Sequence, residues 1–108
     1  MISFGAIIGK CSLPQLFFLM FWMMIFYGLS DAICVELLHV ADMGGSITIH
    51  IFGAYFGLAS SYFFQPARAL KSKNIKISHN SETIAMVGSI FLWIFWPSFN
   101  GGPGINGP

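Results

Sequence analysis

The stretch Asp42-Met43-Gly44-Gly45-Ser46-Ile47-Thr48-Ile49-His50-Ile51-Phe52-Gly53-Ala54-Tyr55-Phe56-Gly57 decides how this chain is read. From Ile47 to Phe64 the only titratable group that could be cationic is His50, and on the other side the nearest charge is Asp42. An apolar run of this length is the signature of a membrane-crossing helix, which needs about 17 to 25 such residues. An imidazole in hydrocarbon has lost its water, so it pairs with another group or faces a cavity. By default it marks a path for an ion, a proton or a polar solute.

Outward from this stretch the rest of the chain agrees. It is 56% hydrophobic and only 8% charged, whereas soluble domains carry about 25% charged residues. Leu13 to Val35 is broken only by Gln15, Ser30 and Asp31, and Thr83 to Pro97 is a third, shorter apolar block. The expected fold is an all-α membrane protein with three spans, over residues 13–38, 46–65 and 81–99. Met1–Gly9 reads as the tail of a preceding helix, residues 100–108 as a loop or truncated tail, and the whole as a fragment of a larger protein. Lys10 follows the first apolar stretch instead of preceding it, which is the wrong order for a signal peptide.

Every basic residue lies at Lys10 or within Arg68, Lys71, Lys73 and Lys76, while Asp31, Glu36 and Asp42 gather between the first two spans. Short Lys- and Arg-rich loops stay in the cytoplasm. Loop 66–81 is therefore expected inside and loop 38–45 outside. Breakers mark the span ends: Pro14 falls in a first helical turn, where its missing N–H costs little. Ser46 reads as a cap for the second span, Gln65-Pro66 as its close, and Ser81-Glu82 as the opening of the third, which Trp96-Pro97 ends.

Gly45, Ile49, Gly53, Gly57 and Ser61 recur every four residues, and Gly53-x-x-x-Gly57 allows close approach of another helix. His50, three before Gly53 and seven before Gly57, is expected on nearly the same side. A neutral imidazole donates with one nitrogen and accepts with the other. Asp42 carries two compatible readings, a helix-start acid that binds backbone N–H groups and a vestibular acid that attracts cations. Trp96 and Phe99 read either as interfacial anchors or as a constriction whose faces offer cation–π contact. His39 and His79 read as solvated residues.

Cys11 and Cys34, at opposite ends of one helix, would stand about 34 Å apart, far beyond disulfide reach. No nucleophile–base pair, phosphate loop or metal-ligand spacing is present, so the chain is read as neither an enzyme nor a holder of metal or cofactor. Orientation accounts for the basic loop without nucleic acid.

The quoted stretch, continued to Leu58, together with Phe91-Leu92-Trp93-Ile94-Phe95-Trp96-Pro97-Ser98-Phe99-Asn100, closely resembles the Rh glycoproteins, a branch of the ammonium transporter superfamily. Ile2-Ser3-Phe4-Gly5-Ala6 with Gly9-Lys10 resembles the segment just upstream. The resemblance implies a bundle of eleven or twelve helices, a plasma-membrane trimer with one narrow pore per subunit, and ammonium or ammonia as solute. It implies that His50 is the first of two pore histidines, the second lying on a later helix. It makes Trp96 a pore-lining aromatic and Phe99 one of two gate phenylalanines. Asp42 then matches an acid near the outer vestibule, and Asp31 stands where some members have a vestibular glutamate. Members without transport activity lack this histidine, so its presence favours a transporting protein. The alternatives are a non-transporting scaffold of the same fold and an inactive truncated product.

Overall fold

The computed structural model describes residues 1–64 and 77–106, all helix, turn or connection. The basic cluster from Arg68 to Lys76, with the Gln65-Pro66 break and the interior of loop 66–81, lies outside the described residues.

A short helix α1 (Ile2–Ile7) leads through Lys10, whose N–H donates to the Ile7 carbonyl, into α2 (Leu13–Ala32). Ser12 precedes α2, and its backbone N–H donates to Gln15 Oε1 at 2.9 Å, so a polar side chain serves a backbone group at the helix entrance. Pro14 sits in the first turn. α2 continues as a π-helical turn, Ile33–Leu37, closed by Leu38 N–H donating to the Ile33 carbonyl. His39, with φ of 52°, then reverses the chain.

The second span, α3, runs from Ser46 to Phe64 and opens as a π-helical turn, Ser46–Ile51, before becoming regular at Phe52. Gly45 enters it in the left-handed conformation, φ 70°. Its carbonyl accepts from both Ile49 N–H and His50 N–H, each at 3.0 Å, and this doubling inserts the extra residue of the π turn. Asp42, not Ser46, caps the helix. Its Oδ2 accepts from Ile47 N–H at 2.9 Å, Thr48 N–H at 2.8 Å and the Thr48 hydroxyl at 3.0 Å.

The last span, α4, covers His79–Gly101. Ser78 Oγ accepts from Ser81 N–H, and Glu82 lies at the positive end of the helix dipole. The expected stop at Trp96-Pro97 does not occur. Pro97 removes one donor, but the helix resumes with Gly102 N–H donating to the Ser98 carbonyl, and Ser98 Oγ serves the Phe95 carbonyl at 2.7 Å. Residues Gly102–Asn106, within the segment expected as a loop or truncated tail, form a 3₁₀ turn. Thr83 and Ser89, polar residues on an apolar helix, bond their own backbone at His79 and Ala85.

Three helices among the described residues are long and apolar enough to cross a membrane: Leu13–Leu37, Ser46–Phe64 and His79–Gly104. Their side chains are mostly bare. Among the described residues only Ile7 and Leu19 are buried hydrophobics, while Ile84, Trp93 and Tyr55 are 72%, 80% and 72% exposed. Such surfaces fit lipid or further helices, not water.

The tightest packing is α1 on α3. Gly53 and Gly57 are buried there, and a Cβ on Gly57 would lie 2.8 Å from Ser3 Cα and 2.9 Å from Ser3 O. Ser3 Oγ donates to the Gly53 carbonyl at 2.7 Å, and Lys10 Nζ donates to Ser61 Oγ at 2.6 Å. Two ends of the bundle follow. Lys10 lies with the C-terminal turns of α3, while Met43, whose sulfur presses on Gly104, joins the 38–45 connection to the end of α4.

Candidate functional site

The site lies where the first turns of α3 meet the last turns of α4. The two helices are antiparallel, so matching turns face each other. Ser46 meets Asn100, and one turn deeper His50 meets Trp96. The His50 and Trp96 ring centroids are 4.7 Å apart with planes at 88°, and His50 and Phe99 are 5.5 Å apart at 85°. Trp96 and Phe99 stack on each other at 5.1 Å. Continuation of α4 through Pro97 makes this possible, because residues 96, 99 and 100 then fall at i, i+3 and i+4 on one face.

The π turn aims His50. Buried positions along α3 are 48, 53, 57 and 60, and the step of five from 48 to 53 crosses His50. The extra residue turns the ring away from the α1 face. His50 and Gly53 therefore do not share a side as their spacing predicted: Gly53 meets Ile2 and Ser3, whereas His50 meets Trp96 and Phe99.

His50 Nδ1 lies 2.9 Å from the Gly45 carbonyl oxygen. A carbonyl only accepts, so this contact requires Nδ1 to carry the proton, and in the neutral ring Nε2 keeps its lone pair. Nε2 is then a hydrogen-bond acceptor for anything beside the ring.

Asp42 stands at the mouth of this arrangement, outside the apolar core of the span. The hydrogen bond from Thr48 N–H holds its carboxyl below the usual carboxylate value against some desolvation, with further help from the Thr48 hydroxyl and the Ile47 and Ser46 amides. It is a fixed negative charge bound into the helix start. Asp31 is half-buried in the last turn of α2 and takes no part in the bonds of the cluster. Among the described residues no three His, Cys, Asp or Glu side chains converge as a metal site, and Cys11 and Cys34 are free thiols.

Two residues of the site were not read from the sequence as belonging to it: Ser46 was expected only as a helix cap, and Asn100 was given no role of its own. Ser46 Oγ donates to Asn100 Oδ1 at 2.9 Å and accepts from Trp96 Nε1–H at 3.1 Å. The available signal was spacing: Ser46 is four before His50, and Asn100 is four after Trp96.

A sequence model of the Ammonium Transporter Family matches residues 1–106. The chain is 48% identical over 104 residues to the ammonium transporter Rh type B of Sus scrofa, covering 95% of this chain and 23% of that protein. The corresponding proteins of Bos taurus and Mus musculus are 47% and 45% identical, with the same coverage. The chain thus spans about a quarter of the length of these curated relatives. No solved structure matches it.

Proposed function

The chain belongs to the ammonium transporter family, and from that premise we propose that the protein carrying it conducts ammonium nitrogen across a membrane as neutral ammonia. The observation that carries the reading is the enclosure of His50 by Trp96 and Phe99 within an apolar span. Asp42, with Asp31 further along the same end, supplies the negative potential that concentrates ammonium. The stacked faces of Trp96 and Phe99 offer cation–π contact to an ion that is shedding water. Deeper in, low dielectric penalises the ion far more than the neutral amine, so ammonium gives its proton to water at the outer mouth and ammonia continues. His50 Nε2 accepts a hydrogen bond from the ammonia N–H, replacing one that a water oxygen had accepted.

The exposed faces of α2 and α4 require further helices to close a pore. In this reading they come from the remainder of a trimeric protein, and a second histidine lies opposite His50. Gly53 and Gly57 serve packing against α1 and not conduction. The protein moves a solute without converting it and uses no cofactor. Lys10 and loop 66–81 face the cytoplasm, and the 38–45 connection faces outward at the plasma membrane. A cysteine at position 72 is then labelled only from the cytoplasmic side.

The direct test is reconstitution of the full-length protein in vesicles with a pH dye inside. An imposed ammonium gradient is expected to alkalinise the lumen faster than in protein-free vesicles. Equal rates overturn the reading.

A further inference from the structure

We propose that Ser46 and Asn100 form a clasp that positions Trp96 and thereby sets the size of solute admitted beside His50; this specificity role rests on the conduction reading. The direction of the relay is forced by its chemistry. An indole N–H only donates and a carboxamide oxygen only accepts. The hydroxyl between them must take the indole proton at 3.1 Å and spend its own on Asn100 Oδ1 at 2.9 Å. All the hydrogen-bonding capacity of Trp96 is thereby directed at Ser46. What the indole presents to His50 is ring, perpendicular at 4.7 Å, with no competing donor.

Backbone packing seats the same clasp. A Cβ on Gly44 would lie 2.6 Å from Asn100 Oδ1 and 2.9 Å from Asn100 Cα, and Gly44 has φ of 83°. The approach of α4 to the entrance of α3 therefore depends on a bare backbone at position 44. The clasp spans the two helices at their only polar contact among the described residues, one turn nearer the mouth than the His50–Trp96 pair. Without it, Trp96 keeps only aromatic contacts, which are weaker and less directional. The indole is then free to swing and widen the passage. Ser46 and Asn100 act through Trp96 as positioning residues and need not touch the solute.

The experiment uses the full-length protein with Ser46→Ala, Asn100→Ala, the double variant and Ser46→Thr, reading the ratio of methylammonium to ammonium flux per surface molecule. Each alanine variant is expected to raise the ratio by about threefold, the scale of one hydrogen bond. The double variant should go no further than either single one, and Ser46→Thr should restore the wild-type ratio. Unchanged ratios, or changes that simply multiply in the double variant, overturn the proposal. The resonance Raman band that reports indole N–H bonding, taken as the difference from Trp96→Phe, gives a readout independent of transport. It should weaken in Ser46→Ala and persist in Ser46→Thr, and an unaltered band in Ser46→Ala sinks the clasp. If the wild-type protein carries no ammonium, the conduction reading falls and the specificity role falls with it, while the Raman band still decides whether the clasp exists.

Discussion

Against α1, the second span presents Gly53 and Gly57 and is packed backbone to backbone. Against α4, it presents Ser46 and His50 and is joined by hydrogen bonds and ring contacts at one end only. The first interface is held by shape. Ser3, Ile7, Gly53 and Gly57 are buried, and the Ser3 hydroxyl donates to the Gly53 carbonyl. The second leaves His50 and Trp96 half-buried and Phe99 52% exposed. One helix thus carries a structural face and a face with unspent chemistry, separated by a single inserted residue in the π turn.

Substitutions can set these faces against each other. The largest effect is expected from Gly57→Leu. Its Cβ alone would strike the Ser3 backbone, which cannot move aside as a flexible side chain would. Overpacking of this kind costs about 1–3 kcal/mol or more, so folded protein at the surface should fall sharply while flux per surviving molecule is little changed. A normal yield of folded Gly57→Leu protein would show that α1 is not held there.

Phe99→Ala probes the other face and should behave in the opposite way. The ring borders an open space, so folding should be nearly intact, while flux per folded molecule changes by loss of a productive gate or by leak to larger amines. If Phe99 is only an interfacial anchor, the protein instead weakens, by about 1.5–3 kcal/mol at most for lost burial, and normalised flux stays constant.

The smallest effect concerns the capping acid. The folded-state carboxyl of Asp42 is depressed below its ordinary value of 3.8. Its contribution is therefore fully present above that ordinary value and is lost as pH falls through the lower folded one. Thermal stability of the wild type should decline in that acid window by a component that Asp42→Asn lacks. Parallel curves for the two proteins across the window would remove Asp42 from the helix start.

Much of this fold was legible in the sequence because apolar runs are hard to disguise: the blocks around Leu13–Val35, Ile47–Phe64 and Thr83–Pro97 can hardly be anything but helices in lipid. The placing of His50 was not legible. Spacings of three to Gly53 and seven to Gly57 put it on their side, and only the bifurcated bonds at the Gly45 carbonyl turn it to α4. Pro97 misled in a related way. A proline is a strong local signal, but one missing donor near a helix end is offset by the bonds of the following turn. Trp96 and Phe99 came to attention through resemblance as much as through aromatic character. Ser46 and Asn100 are ordinary residues whose partnership arises only when two antiparallel helices meet in register.

Conduction as proposed depends on His50 facing the solute. The measurement that bears on it most directly is ammonia flux in the full-length protein carrying His50→Leu, normalised to correctly trafficked molecules. Leucine keeps bulk beside Trp96 and Phe99 and removes the Nε2 acceptor. The expected result is normal surface expression with flux lowered roughly tenfold, the equivalent of about 1.4 kcal/mol at the barrier, or with altered selectivity between charged and neutral amine. Unchanged flux and unchanged selectivity would contradict it and return His50 to the role of a core imidazole satisfied by the Gly45 carbonyl.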